Sequence, residues 1–384
     1  MSDNGSDGDR RMNATVGAVR GTTVSGFDHE MLAESSWDNL VARSETSSVF
    51  QTSAWHRSWW AAFGDAYEPR VMVLSRGSRM VGLAPFVVDR RTPGVLRFMG
   101  DGRADYCDFI ASREDKRSIL KSVFSALAAA ASWSVVELNN VPSMSGTIEE
   151  ARALCRDAGF GFRVDHQFVC PSLLILEHQE AALKIFNKAS LRRPEKVLAR
   201  SGRVTYRVLT SHDDVVPLLD AFFDQHIRRW TATSTPSLFL DARNREFYRG
   251  LTARLAPRGW LHFSTVEFEG EPIAFHFGFD FGGVVTWYKP SFAIEHAAHS
   301  PGMVMLRHLI GDAIEQGRSE LDFTVGDEPF KRRFTNTVRN TSQIRVFREP
   351  ATMLIEQSRR AVVDVAKWVS RRAPLRGAFG RLKS

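Results

Sequence analysis

Cysteine is scarce: Cys107, Cys155 and Cys170 are the only three in 384 residues, with no CxxC pair and an odd count. That excludes a disulfide framework and a cysteine-built zinc site, and it fits a reducing cytoplasm. Long apolar runs are missing as well. The most apolar stretch, residues 124–138, is broken by Ser125, Ser132, Trp133, Ser134 and Glu137 and falls short of the ~20 residues that span a bilayer. The opening MSDNGSDGDRR lacks the basic start and apolar core of an export signal. His29-Glu30 begins like a zinc-protease helix but lacks the second histidine, and neither a Walker loop nor a GxGxxG run occurs. No metal is expected, and nucleotide hydrolysis falls away.

Charge of one sign is also scarce, outside one segment. The chain carries a formal +7, yet residues 350–384 hold eight cations against two carboxylates, which leaves the body nearly neutral. A neutral body argues against a groove that tracks phosphates, so nucleic acid is not an expected partner. In the tail, Leu354, Ala361, Val365 and Trp368 share one helical stripe, with Arg360, Asp364, Lys367 and Arg371 opposite. Such a helix either lies on an anionic membrane or docks on its own protein.

What is present is an α/β pattern that runs twice. Residues 1–26 are polar and lack apolar periodicity, and are read as a disordered leader. A first unit is expected over 27–175, a basic linking helix over 176–202, a second unit over 203–350, and the amphipathic helix and tail over 351–384. In the second unit two helical patterns precede three strand-like runs, 260–267, 272–281 and 284–289, joined by Glu269-Gly270-Glu271 and Gly282-Gly283. A strong helix over 302–316, a strand at 320–324, a short helical piece and a last strand at 343–348 follow. The first unit repeats this order.

Several segments carry a resemblance. They are Phe50-Gln51-Thr52-Ser53-Ala54-Trp55 with Trp59-Trp60, Gly100 through Asp105-Tyr106, Tyr288-Lys289, Ser300-Pro301-Gly302, and Asp322-Phe323 through Gly326 to Phe330-Lys331-Arg332-Arg333-Phe334. In this order and spacing they resemble the tandem GNAT-fold acyltransferases. The closer likeness is to the CelD-like acetyltransferases of polysaccharide synthesis, and the more distant one to the Fem ligases that build peptidoglycan bridges from aminoacyl-tRNA. The resemblance implies two tandem GNAT units, each a mixed, mostly antiparallel sheet flanked by helices.

The residues have a physical logic of their own. Ser300 is a favoured N-cap, Pro301 suits the first helical turn, and Gly302 lets a ligand approach the backbone. The helix start at Ser300, Pro301, Gly302 and Met303, with His299 beside it, is thus expected to receive an anion on its free amides. The resemblance makes that anion the pyrophosphate of acetyl-CoA or another acyl-CoA. Phe330 and Phe334 would fix Lys331 at the cleft, and the resemblance to the Fem family implies that this lysine sits near the reacting carbonyl, where its ammonium would stabilise an oxyanion. On the 272–281 strand, Phe275, Phe277, Phe279 and Phe281 share one face, and Ala274, His276, Gly278 and Asp280 the other. That small, polar face would line an acceptor channel with His276 as general base. The resemblance implies that Asp105 sits where the first unit faces the second, and there it would accept a proton from, or orient, an acceptor amine or hydroxyl. Arg229 with Trp230, Tyr288 with Lys289, and Tyr106 would contact a sugar phosphate or stack on a ring. Trp55, Trp59 and Trp60 have the spacing of core packing.

These expectations converge on an acyltransferase of the GNAT type. It would move an acetyl or similar group from acyl-CoA to an amine or hydroxyl of a saccharide or cell-envelope precursor, in the cytoplasm or at the inner face of the membrane. A Fem-like aminoacyl transferase using aminoacyl-tRNA, and a catalytically silent scaffold of a polysaccharide-synthesis complex, remain as alternatives.

Overall fold

The computed structural model describes residues 19–355, apart from 28 and 232–234. The first unit runs β1 (Arg20–Val24), α1 (Glu34–Ala42), α2 (Ser53–Phe63), β2 (Tyr67–Arg76), β3 (Arg79–Asp89), β4 (Val95–Phe98), β5 (Ile110–Ala111), α3 (Arg113–Ala129), β6 (Val135–Pro142), α4 (Thr147–Ala158) and β7 (Gly161–Leu174). Helices α5 (Gln179–Phe186) and α6 (Ala189–Leu198) lead to β8 (Val204–Leu209), α7 (His212–Val215), α8 (Leu219–Thr231) and α9 (Ala242–Leu255). Then come β9 (Leu261–Phe268), β10 (Glu271–Phe281), β11 (Val284–Phe292), α10 (Pro301–Glu315), β12 (Glu320–Asp322), α11 (Pro329–Arg332) and β13 (Thr337–Phe347).

Twelve of these strands form one path, β1-β2-β3-β4-β6-β13-β7-β12-β11-β10-β9-β8, with β5 beside β3. Only the β4–β6 and β11–β12 pairs are parallel; every other pairing among the described residues is antiparallel. The units exchange their last strands. β13, from the second half, inserts between β6 and β7, while β7 runs on to pair with β12 through Leu174, Leu173 and Ser172. Each unit's sheet is completed by a strand of the other, so the two are joined along a continuous backbone ladder.

Two expectations change here. Residues 20–24 are not part of a leader: they pair with β2 from Arg20↔Ser75 to Val24↔Val71, and Val24 is buried. The linking helix is two helices, α5 and α6, broken at Asn187-Lys188, with Pro194 inside α6. Residues 350–355 are helical, and the remainder of the expected amphipathic helix lies outside the described residues. No helix among the described residues is long and apolar enough to cross a membrane.

The aromatic content explains how the halves meet. Thr52 caps α2 by accepting from the Trp55 amide, which sets Trp55 and Trp59 on the inward face. Trp55 packs edge-on against Phe247 and Phe279 of the second unit, and Phe50 does the same against Phe279. The phenylalanine face of β10 is covered by these rings and by α8 and α9. A second core, Val304, Leu306, Leu309, Ile310 and Ala313 of α10 with Val285 and Trp287, covers the other face of the sheet.

Candidate functional site

β11 and β12 run parallel for three pairs, Val284↔Glu320, Val285↔Leu321 and Thr286↔Asp322, and then part. β12 ends at Asp322 while β11 continues to Phe292. The parting begins at a β-bulge: opposite β10 the register slips between Phe277↔Lys289 and Phe279↔Thr286. Gly278 sits at this slip because nothing larger fits. A Cβ there would lie 2.1 Å from His276 Cε1 and 2.4 Å from the Thr286 carbonyl oxygen. In the first unit the matching gap between β4 and β6 is closed by the chain itself. The Cys107 amide donates to Asn140 O at 3.0 Å, and Asn140 Nδ2 donates to Ala104 O at 2.8 Å.

In the second unit the gap opens into a cavity of about 580 Å³. Trp287, Tyr288 and Lys289 form one wall and Thr324 and Val325 the other; Gly302 and Met303 of α10, Arg229 and Trp230 of α8, Lys331 of α11 and Asp105 of the first unit complete it. Three cations, Arg229, Lys289 and Lys331, face two carboxylates, Asp105 and Glu328.

Lys331 is buried, and its Nζ donates to Val325 O at 2.8 Å and meets Glu328 Oε2 at 2.9 Å. Gly326, at φ +126°, leaves room for that ammonium: a Cβ would come within 2.8 Å of Nζ. Phe334 is fully buried and Phe330 packs beside it, so the short helix is anchored as its spacing predicts. Burial raises the Asp105 carboxyl above the ordinary carboxylate range, against the opposing pull of the Lys289 charge and a contact from Thr324. Burial likewise lowers the Lys289 ammonium, whose Nζ lies 3.8 Å over the Tyr288 ring, while Asp105 acts in the opposite sense. Arg229 stacks over Phe292 at 4.3 Å and donates to Pro290 O at 2.9 Å. His226, also on the wall, is held at about 3 by burial and by the nearby Lys289 and Arg229 charges, so it is neutral.

At the α10 start the geometry differs from a serine cap. Ser300 has φ 52° and ψ 52°, and its hydroxyl makes no cap bond; its carbonyl takes the Met303 amide at 2.9 Å. The left-handed residue turns the chain out of the preceding 3₁₀ segment, so Gly302 and Met303 reach the cavity while Ser300, Pro301 and His299 do not line it.

Three other expected residues are engaged differently from their expected roles. His276 is fully buried under α10, stacks on Trp287 at 5.0 Å and accepts the Tyr288 amide on Nε2 at 3.3 Å. Burial holds its imidazole well below the usual range, and it does not line the cavity, so it cannot serve there as a base. Its strand face is core, because α10 covers it. Tyr288 lines the cavity, but its ring lies between the units and its hydroxyl donates to Arg103 O at 2.7 Å. Tyr106 faces a second, smaller cavity, where its hydroxyl donates to Asp322 Oδ1 at 3.0 Å. Sequence reasoning gave no role to Asp322 or Thr324. The signal for them was the Asp322-Phe323 dipeptide at the end of a short strand. Among the described residues no group of His, Cys, Asp and Glu could hold a metal ion.

Comparison with known proteins places a fold on this geometry. A sequence profile described as an acetyltransferase (GNAT) domain matches residues 187–332, which include α10, the parted strands and Lys331. No curated protein matches the sequence. Among solved structures, FemX superposes with a TM-score of 0.62 at 11% identity, covering 88% of this chain and 100% of that one. The C-terminal domain assigned to a lysylphosphatidylglycerol synthetase from Agrobacterium fabrum gives 0.54 at 12% identity, covering 86% and 95%. L-PGS from Bacillus licheniformis gives 0.50 at 13%, covering 83% and 97%. At such identities the likeness is one of fold. The second unit carries the acetyltransferase-type (GNAT) domain, and the chain as a whole shares its fold with these structures.

Proposed function

We propose that this chain transfers an acetyl or similar acyl group from acyl-CoA to an amine or hydroxyl of a saccharide or cell-envelope precursor. The single observation that carries the reading is the cavity shared by the start of α10 and by Lys331. The Gly302 amide at the helix start, with the excess of cations around it, suits the diphosphate of the carrier. Lys331, tethered by Val325 O and Glu328, would lie against the thioester carbonyl. Its charge would stabilise the oxyanion of the tetrahedral intermediate as the acceptor attacks directly, with no covalent enzyme intermediate. Asp105, whose carboxyl feels the charges of both Lys289 and Lys331, would keep both ammoniums turned to the cavity and orient the acceptor. Arg229 and Trp230 would hold the more distant part of the donor or acceptor. The saccharide acceptor rests on the likeness to CelD-like enzymes. Cytoplasmic location rests on the scarcity of cysteine, and peripheral contact with anionic membrane on the tail's charge pattern.

A second reading draws on a specific observation, the likeness of fold to FemX across nearly the whole chain. It is transfer of an aminoacyl group from aminoacyl-tRNA. Thermal shifts with acetyl-CoA, free coenzyme A and charged tRNA separate the two. The leading reading expects acetyl-CoA and coenzyme A to stabilise the protein. Stabilisation by tRNA alone would replace it, and no response to any of the three would favour a silent scaffold.

A further inference from the structure

The near-neutral sum of charge over the body hides one local excess. From Ala181 to Arg203, a stretch that holds α5 and α6, the chain carries seven cations and a single carboxylate, Glu195. Glu195 points inward and takes Arg307 Nη1 and His308 Nε2 of α10, each at 2.9 Å. Lys188 turns inward as well, with its Nζ 5.8 Å over the Phe334 ring. Lys184, Arg192, Arg193, Lys196 and Arg200 are exposed, and none of them pairs with a carboxylate among the described residues.

Helical spacing gathers these cations on one face. α6 buries Leu191 and Leu198 and turns Glu195 to α10, so Arg192, Lys196 and Arg200, four apart, make an outward row, with Arg193 and Val197 beside it. α5 buries Ala182 and Ile185 and turns Leu183 and Lys184 out. Both helices lie along α10. The Ile175 amide donates to Ser319 O at 2.8 Å past its C-terminal end, and Phe186 packs on Gly311, where a Cβ would stand 3.1 Å from the ring. α6 reaches Arg307 and the 294–299 turn that leads into α10.

Aliphatic side chains stand exposed along the same layer: Leu176 at 59%, Leu183 at 42%, Val197 at 40% and Ile294 at 47%. Unpaired cations mixed with exposed aliphatics suit the headgroup region of a bilayer, where the cations meet lipid phosphates and the aliphatics enter the apolar boundary. RNA, the other common polyanion, would leave those aliphatics in water. It also binds through exposed rings that stack on bases, and the one ring of the two helices, Phe186, is covered by Arg307 at 4.6 Å.

We infer that the outward face of α5 and α6 is a docking surface for an anionic lipid bilayer, separate from the C-terminal tail. This goes beyond the acyl-transfer reading and does not depend on it. Since α6 touches the turn before α10, docking brings the start of α10 close to the lipid surface.

The test is co-sedimentation of the full chain with vesicles of phosphatidylcholine alone or with about one-third phosphatidylglycerol. Retention is expected on the anionic vesicles only. Arg192→Gln with Lys196→Gln should lower the partition coefficient about 25-fold, roughly fivefold for each cation removed from the surface. Leu183→Ser with Val197→Ser should lower it severalfold and leave retention of transfer RNA unchanged. Arg79→Gln with Lys121→Gln, which removes equal charge from exposed sites of the first unit, should change it less than about twofold. All these sites are exposed, so urea midpoints should hold; if one falls, Arg193→Gln with Arg200→Gln probes the same face. No retention of the unaltered chain, undiminished binding without the Arg192 and Lys196 charges, or an equal loss without those of Arg79 and Lys121 would overturn the inference. So would unchanged partition in the Leu183 and Val197 variant, which would leave RNA as the occupant.

Discussion

Tyr106 of the first unit donates its hydroxyl to Asp322 of the second at 3.0 Å, which ties the loop carrying Asp105 to the strand end where β11 and β12 part. Adjacent residues of one loop therefore serve two spaces, Asp105 the donor cavity and Tyr106 the smaller one. The first unit closes its own gap with this loop and supplies side chains to its neighbour.

Asp322 makes stability depend on pH in a definite sense. Its carboxyl is pushed up to about 7 in the folded chain, from an ordinary value of 3.8, by burial and by Glu320. An acid raised on folding favours the native state while protonated; that contribution is whole below about pH 4 and is lost as pH rises through about 7. Asp322→Asn abolishes this titration. The Tm of the variant minus that of the unaltered protein should therefore rise from pH 4 to 7 and level off above. A difference that stays flat across thermal scans would refute the assignment.

Lys331→Ala should lower kcat about 100-fold, the scale of one lost oxyanion donor at ~3 kcal/mol, with donor affinity nearly unchanged. Gly326→Ala should act in the same direction, since its Cβ would enter the space of the Lys331 ammonium. Single-turnover kinetics with calorimetry check both.

Gly302→Ala separates folding from donor binding. The nearest atom to a Cβ there is Phe292 Cδ1, at 3.7 Å, so the protein has room for it, and alanine favours a helix over glycine by up to about 1 kcal/mol. Urea unfolding should show equal or greater stability. Calorimetry should show acetyl-CoA binding weakened about tenfold, because the methyl stands where the carrier must reach the backbone.

Gly278→Ala should fail in the opposite way. The added carbon meets His276 and the Thr286 carbonyl at distances no side chain tolerates, and overpacking of this kind costs about 1–3 kcal/mol or more. The urea midpoint should fall and turnover with it, as the bulge shifts. An unchanged midpoint would mean that the bulge is more pliable than its packing suggests.

Much of this arrangement was legible in the chain. The phenylalanines of β10 alternate with small residues, and helix α10 carries its apolar stripe; local period alone marks both. The lysine between Phe330 and Phe334 reached the cavity as that spacing requires. The strand exchange was not legible, because β13 and β7 pair across more than 160 residues and nothing in either segment names its partner. β1 was missed because four of its five residues are exposed on a sheet edge and show no apolar alternation. His276 misled because alternation identifies two faces of a strand but not what covers each; here α10 covers the polar one. Ser300 has the composition of a cap but turns left-handed, a choice set by the preceding 3₁₀ segment. The division of Tyr106 from Tyr288 between two cavities depends on the fold of both units together.

The most direct measurement is a crystal structure of the full chain with acetyl-CoA. The account predicts the diphosphate within about 3 Å of the Gly302 amide and the thioester carbonyl beside Lys331 Nζ. A carrier bound elsewhere, or one whose thioester lies beyond reach of Lys331, would contradict it.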